Sequence, residues 1–217
     1  MSVLKTFAAI CNAFARTSGW LIGAAIGGGA LSVTGGMLLT GMVRTAGDDG
    51  EAILATLLPT MIAHAMFVVV ISQITAASIR AVRFGKRQAG GVALITLLIA
   101  IVCAVAGHLP QPLLFFAPLV MTAILAWTPL VPAVAVGPVK WSPGRFATAV
   151  LTSLPFLALA EVFGFVPQAA AAFGMFEGGI IIWPLLGLYA FLLSATAAIV
   201  PTVVYATPPR LPTEIFA

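Results

Sequence analysis

The chain has 217 residues, 61% hydrophobic and 7% charged, with a mean hydropathy of +1.15. Soluble domains carry roughly 25% charged residues, so this inventory excludes an ordinary water-exposed surface. The formal charge of +4 does not point to nucleic acid, because the basic residues have a simpler use in orienting membrane helices.

Residues 1–17 place Val3, Phe7, Ile10 and Phe14 at helical spacing among Ser2, Lys5, Asn12 and Arg16. This pattern predicts an amphipathic helix at the membrane surface rather than a signal peptide. Residues 18–206 form the membrane domain. Its apolar runs are continuous and rich in Ala and Leu, which suits spanning helices and not the alternating segments of a β-barrel. The expected fold is all-α, a bundle of six transmembrane helices at 19–43, 52–78, 91–107, 113–136, 147–166 and 179–206. The last residues, 207–217 (TPPRLPTEIFA), contain three prolines and are expected to form an extended cytoplasmic tail.

The first span is dense in small residues. Gly19, Gly23 and Gly27 form one ridge at spacing four, and Ala24, Gly28, Ser32, Gly36 and Thr40 form its neighbour. Such ridges let helix backbones approach closely in lipid, and they suit either a packed central helix or one that bends along a narrow path. The loop 47–51 (GDDGE) holds three carboxylates. Its short spacing fits a helix cap better than a calcium site.

Prolines fall inside the later spans: Pro59 in the second, Pro118, Pro129 and Pro132 in the fourth, Pro155 in the fifth, Pro184 and Pro201 in the sixth. Each removes a backbone donor, and broken helices line the sites of many transporters. Pro59 and Pro155, with Gly23, Gly27, Gly28 and Gly36, are the expected hinge or packing positions.

Basic residues collect in alternate gaps. Lys5 and Arg16 precede the first span, Arg80, Arg83, Lys86 and Arg87 follow the second, Lys140 and Arg145 separate the fourth from the fifth, and Arg210 follows the sixth. Retention of basic residues on the cytoplasmic side predicts both termini in the cytoplasm of an inner (plasma) membrane. Trp141 beside Lys140 reads as an interface anchor, and the aromatic residues Phe173 and Phe176 as a segment at the outer interface.

Polar groups within the spans are few: His64 and Gln73 in the second, and Glu161 in the fifth, the only charge outside the gaps. A charge at mid-bilayer costs roughly 2.5–3.5 kcal/mol or more, so Glu161 is expected to meet a wet cavity, to take up a proton, or to reach the interface. The last reading has some force, because the carboxyl lies only about 9 Å from the outer end of its predicted span at the rise of an α-helix. A weak internal echo sets Thr56, Leu58, Pro59 and Phe67 against Thr152, Leu154, Pro155 and Phe163. An inverted three-plus-three repeat would produce it, and would place His64 and Glu161 one position apart.

Enzyme chemistry is not expected, since GxSxG, HExxH and phosphate-loop motifs are missing from the sequence. Neither a cofactor nor a metal is called for. Cys11 and Cys103 lie too far apart along the predicted topology to pair. The expectation is a small transporter or channel for an ion or small solute, with Glu161, His64 and Gln73 on its pathway. The alternative is a non-catalytic membrane subunit of a secretion, conjugation or envelope-synthesis complex. The expected partners are the lipid bilayer and a second copy or other membrane subunits, without nucleic acid.

Overall fold

The computed structural model describes residues 3–16, 50–79, 88–107, 116–137, 139–172 and 182–206. The first span at 19–43, most of the acidic loop, the basic run 80–87, the aromatic segment near 173–176 and the tail lie outside the described residues. What is described is all-α. The helices are α1 (residues 3–16), α2 (Gly50–Ser78), α3 (Gln88–Gly107), α4 (Ala117–Trp127), α5 (Leu130–Ala135), α6 (Pro143–Ala172) and α7 (Ile182–Tyr205).

Local chemistry explains several boundaries. Pro118 sits in the first turn of α4, where its missing donor costs nothing. Ser142 caps α6 by accepting the Arg145 amide at 3.2 Å, with Pro143 at the first helical position. The predicted fourth span at 113–136 is not one helix. Thr128, which precedes Pro129, is extended at φ −100 and ψ 153, because the proline ring disfavours the helical conformation in the residue before it. The helix restarts as α5. By contrast, α2 runs through Pro59, α6 through Pro155 and α7 through Pro201, so these prolines do not end their helices.

Helix α7 is the hub. It packs against α6, α2, α4 and α5, while α2 also packs on α3 and α5, and α4 on α6. The main core joins Ala65, Val68 and Ile71 of α2, Ile95 of α3, Leu125 of α4, Val131 of α5, Ala149 of α6 and Ala195–Val200 of α7. Helix α1 belongs to the same core, burying Ile10 and Ala13. Phe14 of α1 stacks on Phe156 of α6 with ring centroids 4.5 Å apart, and Phe7 meets the same ring at 5.6 Å.

Large apolar side chains are not confined to the interior. The core is mostly apolar, and among the described residues its polar members are Ser and Thr, including Ser72, Thr96, Thr122, Ser153, Ser194 and Thr202. Large apolar side chains also point outward: Ile62, Met66, Val70 and Ile74 along one edge of α2, Leu94, Leu97 and Ile101 on α3, and Leu151, Leu154, Val162 and Phe165 on α6. Several interior hydroxyls satisfy themselves on their own helix, as Thr96 does on Val92 O at 2.8 Å and Thr152 on Thr148 O at 2.7 Å, so they need no water. Among the described residues, two helical stretches are long and apolar enough to cross a bilayer, Pro143–Phe165 and Gly187–Tyr205. His64–Ser78, Gly91–Ile101 and Pro118–Trp127 are shorter apolar stretches.

Candidate functional site

The ends of α2 and α7 and the start of α6 meet at one end of the bundle. Ala76 packs against Ala206, Val139 pairs with Ala206 in an antiparallel bridge, and Arg145 donates to Tyr205 O at 2.9 Å and to Lys140 O at 3.2 Å. A cation bonded to the last carbonyls of α7 complements the negative end of that helix. The basic residue that charge patterning marks for orientation therefore also fastens two helices.

A belt of hydrogen bonds lies just inside this end. Thr202 Oγ1 donates to Ala198 O at 2.6 Å, which leaves Ser72 Oγ to donate to Thr202 Oγ1, also at 2.6 Å. Ser153 Oγ donates to Val150 O and accepts from Trp127 Nε1 at 2.8 Å. The break after Trp127 frees a carbonyl, and Tyr205 Oη donates to it. Gln73 reaches Ala135 O at the end of α5 at 3.5 Å. The belt thus ties α2, α4, α5, α6 and α7 together and satisfies groups that the broken helix would otherwise leave bare.

The belt serves as a level mark for the predicted site residues. Ser72 bonds to Thr202 and Ser153 bonds to Trp127, whose carbonyl bonds to Tyr205, so the two serines sit at nearly one level. His64 lies eight residues before Ser72 in α2, and Glu161 eight residues after Ser153 in α6, and the two helices run in opposite directions. At the helical rise both lie about 12 Å beyond the belt. Ser194 is eight residues before Thr202 on α7 and falls at that level too. Its side chain is fully buried and its Oγ lacks a hydrogen-bond partner.

His64 is half-buried, on the α2 face shared with Met61, Val68 and Ile71. Glu161 is half-buried on the flank of the inward stripe of Leu157, Ala160 and Gly164, and its Oε2 is buried without a hydrogen bond. The two residues share a depth, but their helices pack mainly on α7 rather than on each other, and no ion pair joins them among the described residues.

Helix α6 also continues to Ala172, six residues past the predicted end of its span. Glu161 is therefore about 16 Å from the C-terminal end of its helix, not about 9 Å. Gln73 belongs to the belt and not to the level of His64. Pro155 lies on the exposed face of a helix that continues through it, and Pro59 is likewise inside an unbroken helix. Gly23, Gly27, Gly28 and Gly36 lie outside the described residues.

Sequence reasoning did not single out Ser72, Ser153, Trp127, Ser194, Thr202 or Tyr205. Hydroxyls in apolar runs carry no periodic mark, but the Thr128–Pro129 step was a readable sign of a broken helix. In comparison with known proteins, the chain matches no family model, no curated protein and no solved structure.

Proposed function

We propose that the chain is an integral inner-membrane protein of six spans, with both termini cytoplasmic, that carries an ion or small solute through the bundle. The membrane reading is supported by the outer surface: Leu, Ile, Val, Phe and Met side chains are exposed around a core that is apolar but holds buried Ser and Thr, which suits lipid and not water. The cytoplasmic end is the one with Lys140 and Arg145.

The observation that carries the transport reading is the Glu161 carboxyl oxygen, buried without a partner at the depth of His64 and of the unbonded Ser194 hydroxyl. An acidic group inside a membrane bundle is expensive to keep and is used where a proton or cation must be bound and released. Glu161 is the exchanging group, and His64 and Ser194 are polar groups at its level. Prolines that leave their helices intact do not strengthen this reading, and it does not need them.

The test is flux in sealed vesicles. Purified protein in proteoliposomes is given a potassium gradient with valinomycin, and internal pH is followed with a trapped dye, in sodium and in potassium buffers. Wild type is expected to pass protons or to exchange them for the cation, and Glu161→Gln to lose at least about tenfold of that rate. Equal rates for the two proteins reject Glu161 as the exchanging group. A wild type that passes neither, yet leaves native membranes with a stoichiometric set of other proteins, is a subunit of an assembly instead.

A further inference from the structure

The short helix α5 is bounded by two joints. On one side Thr128 is extended ahead of Pro129. On the other, Gly137 has φ +113, a conformation open to glycine and strained for other residues. A helix of six residues is not stable alone in water or lipid, and Pro129 and Pro132 contribute no backbone donors to it. At its ends Ala133 donates to Pro129 O at 2.9 Å, and Val136 and Gly137 both donate to Pro132 O.

Packing and one tether therefore hold α5. Val131, Pro132 and Ala135 are buried, and Val136 lies against Ala76 and Ala206. A Cβ at Gly91 of α3 would fall inside the Val134 side chain, so α3 approaches α5 as closely as glycine permits. The tether is Gln73 to Ala135 O, while the Tyr205 bond to Trp127 O fixes the α4 side of the first joint.

We infer that α5 is a hinged lid over the Arg145 end of the bundle, opening as a unit about Thr128–Pro129 and Gly137 and latched by Gln73. In the closed position it covers the ends of α2 and α7, where Ser72 and Thr202 are fully buried. Swinging it out exposes that pair to the aqueous face and leaves α4, anchored through Trp127 and Ser153, in place. The lid deepens the transport reading by supplying access from one side, yet its test involves no flux and does not touch Glu161. Either idea can fail while the other stands.

The experiment is amide hydrogen exchange of the full chain in lipid nanodiscs. In wild type the amides of residues 130–137 are expected to exchange together and faster than those of α4 and α7. Gly91→Ala should wedge Val134 outward and accelerate residues 130–137 by about tenfold, with α4 and α7 unchanged. Adding Val134→Ala should restore the wild-type rate. The lid is rejected if Gly91→Ala leaves residues 130–137 unchanged, or if α4 and α5 accelerate equally. Should Gly91→Ala fail to fold, Gln73→Leu, which removes the bond to Ala135 O, is read by the same criterion: selective acceleration of 130–137 supports the lid, and no change or a uniform change rejects it.

Discussion

An arginine walked along the outward face of α6 should report a bilayer directly. Phe146, Leu154 and Phe165 are exposed by 40%, 48% and 69% and lie three, eleven and twenty-two residues beyond Pro143. At 1.5 Å per residue these are about 5, 16 and 33 Å along the helix. If the hydrocarbon core, roughly 30 Å thick, begins near Pro143, Leu154 is at its middle and the others are near its edges. Leu154→Arg should then cost about 2.5–3.5 kcal/mol, roughly a 60- to 300-fold shift in the folding equilibrium. Phe146→Arg and Phe165→Arg should cost well under half of that, because a long side chain near an edge can reach the headgroups. Reversible unfolding in bicelles measures each value. In a water-soluble fold all three would be exposed surface changes, typically within about 0.5 kcal/mol. A flat profile of that kind, with the protein released from membranes by alkaline carbonate, would refute the membrane reading.

Two further outcomes follow from contacts at the core. Tyr205→Phe removes the donor to the Trp127 carbonyl and should destabilise the protein by about 1–3 kcal/mol, seen as a lower unfolding midpoint, whereas a change below about 0.3 kcal/mol would mean that water replaces the phenol. The stacked pair Phe14 and Phe156 should show a coupling of about 0.5–1.5 kcal/mol in a double-mutant cycle with leucine at each position, and an additive cycle would mean that α1 is not docked on α6 as described.

The helices were legible to the extent that hydropathy and charge leave one reading. The runs at 52–78, 91–107 and 179–206 lie within a few residues of α2, α3 and α7, since long apolar stretches flanked by polar loops admit little else. The C-terminal end of α6 was missed because the predicted span stops just before Pro167, and the helix runs on through it to Ala172. The division of 113–136 was hidden by treating all prolines alike. Only Pro129 acts with an extended residue before it, whereas Pro118 and Pro184 sit in first turns, where a missing donor is harmless. For the candidate site, the chemistry of Glu161 and His64 was visible as residue type. The belt was not visible at all. Its central bond joins residues 130 positions apart, and no local pattern encodes a pairing at that distance.

The central place of α7 has a consequence for how the protein is made. It is the latest of the described helices to leave the ribosome, yet it is the one around which α2, α4, α5 and α6 are arranged. Until it arrives, Ser72, Trp127 and Ser153 face a vacant slot, and the Trp127 carbonyl waits for Tyr205. On the proposed membrane reading, the earlier helices wait in the bilayer, or are held apart by the insertion machinery, and then close around a late arrival. Such long-range closure is slow, so a truncation or a ribosomal stall before residue 182 should yield a product recognised by membrane quality control rather than a smaller stable bundle.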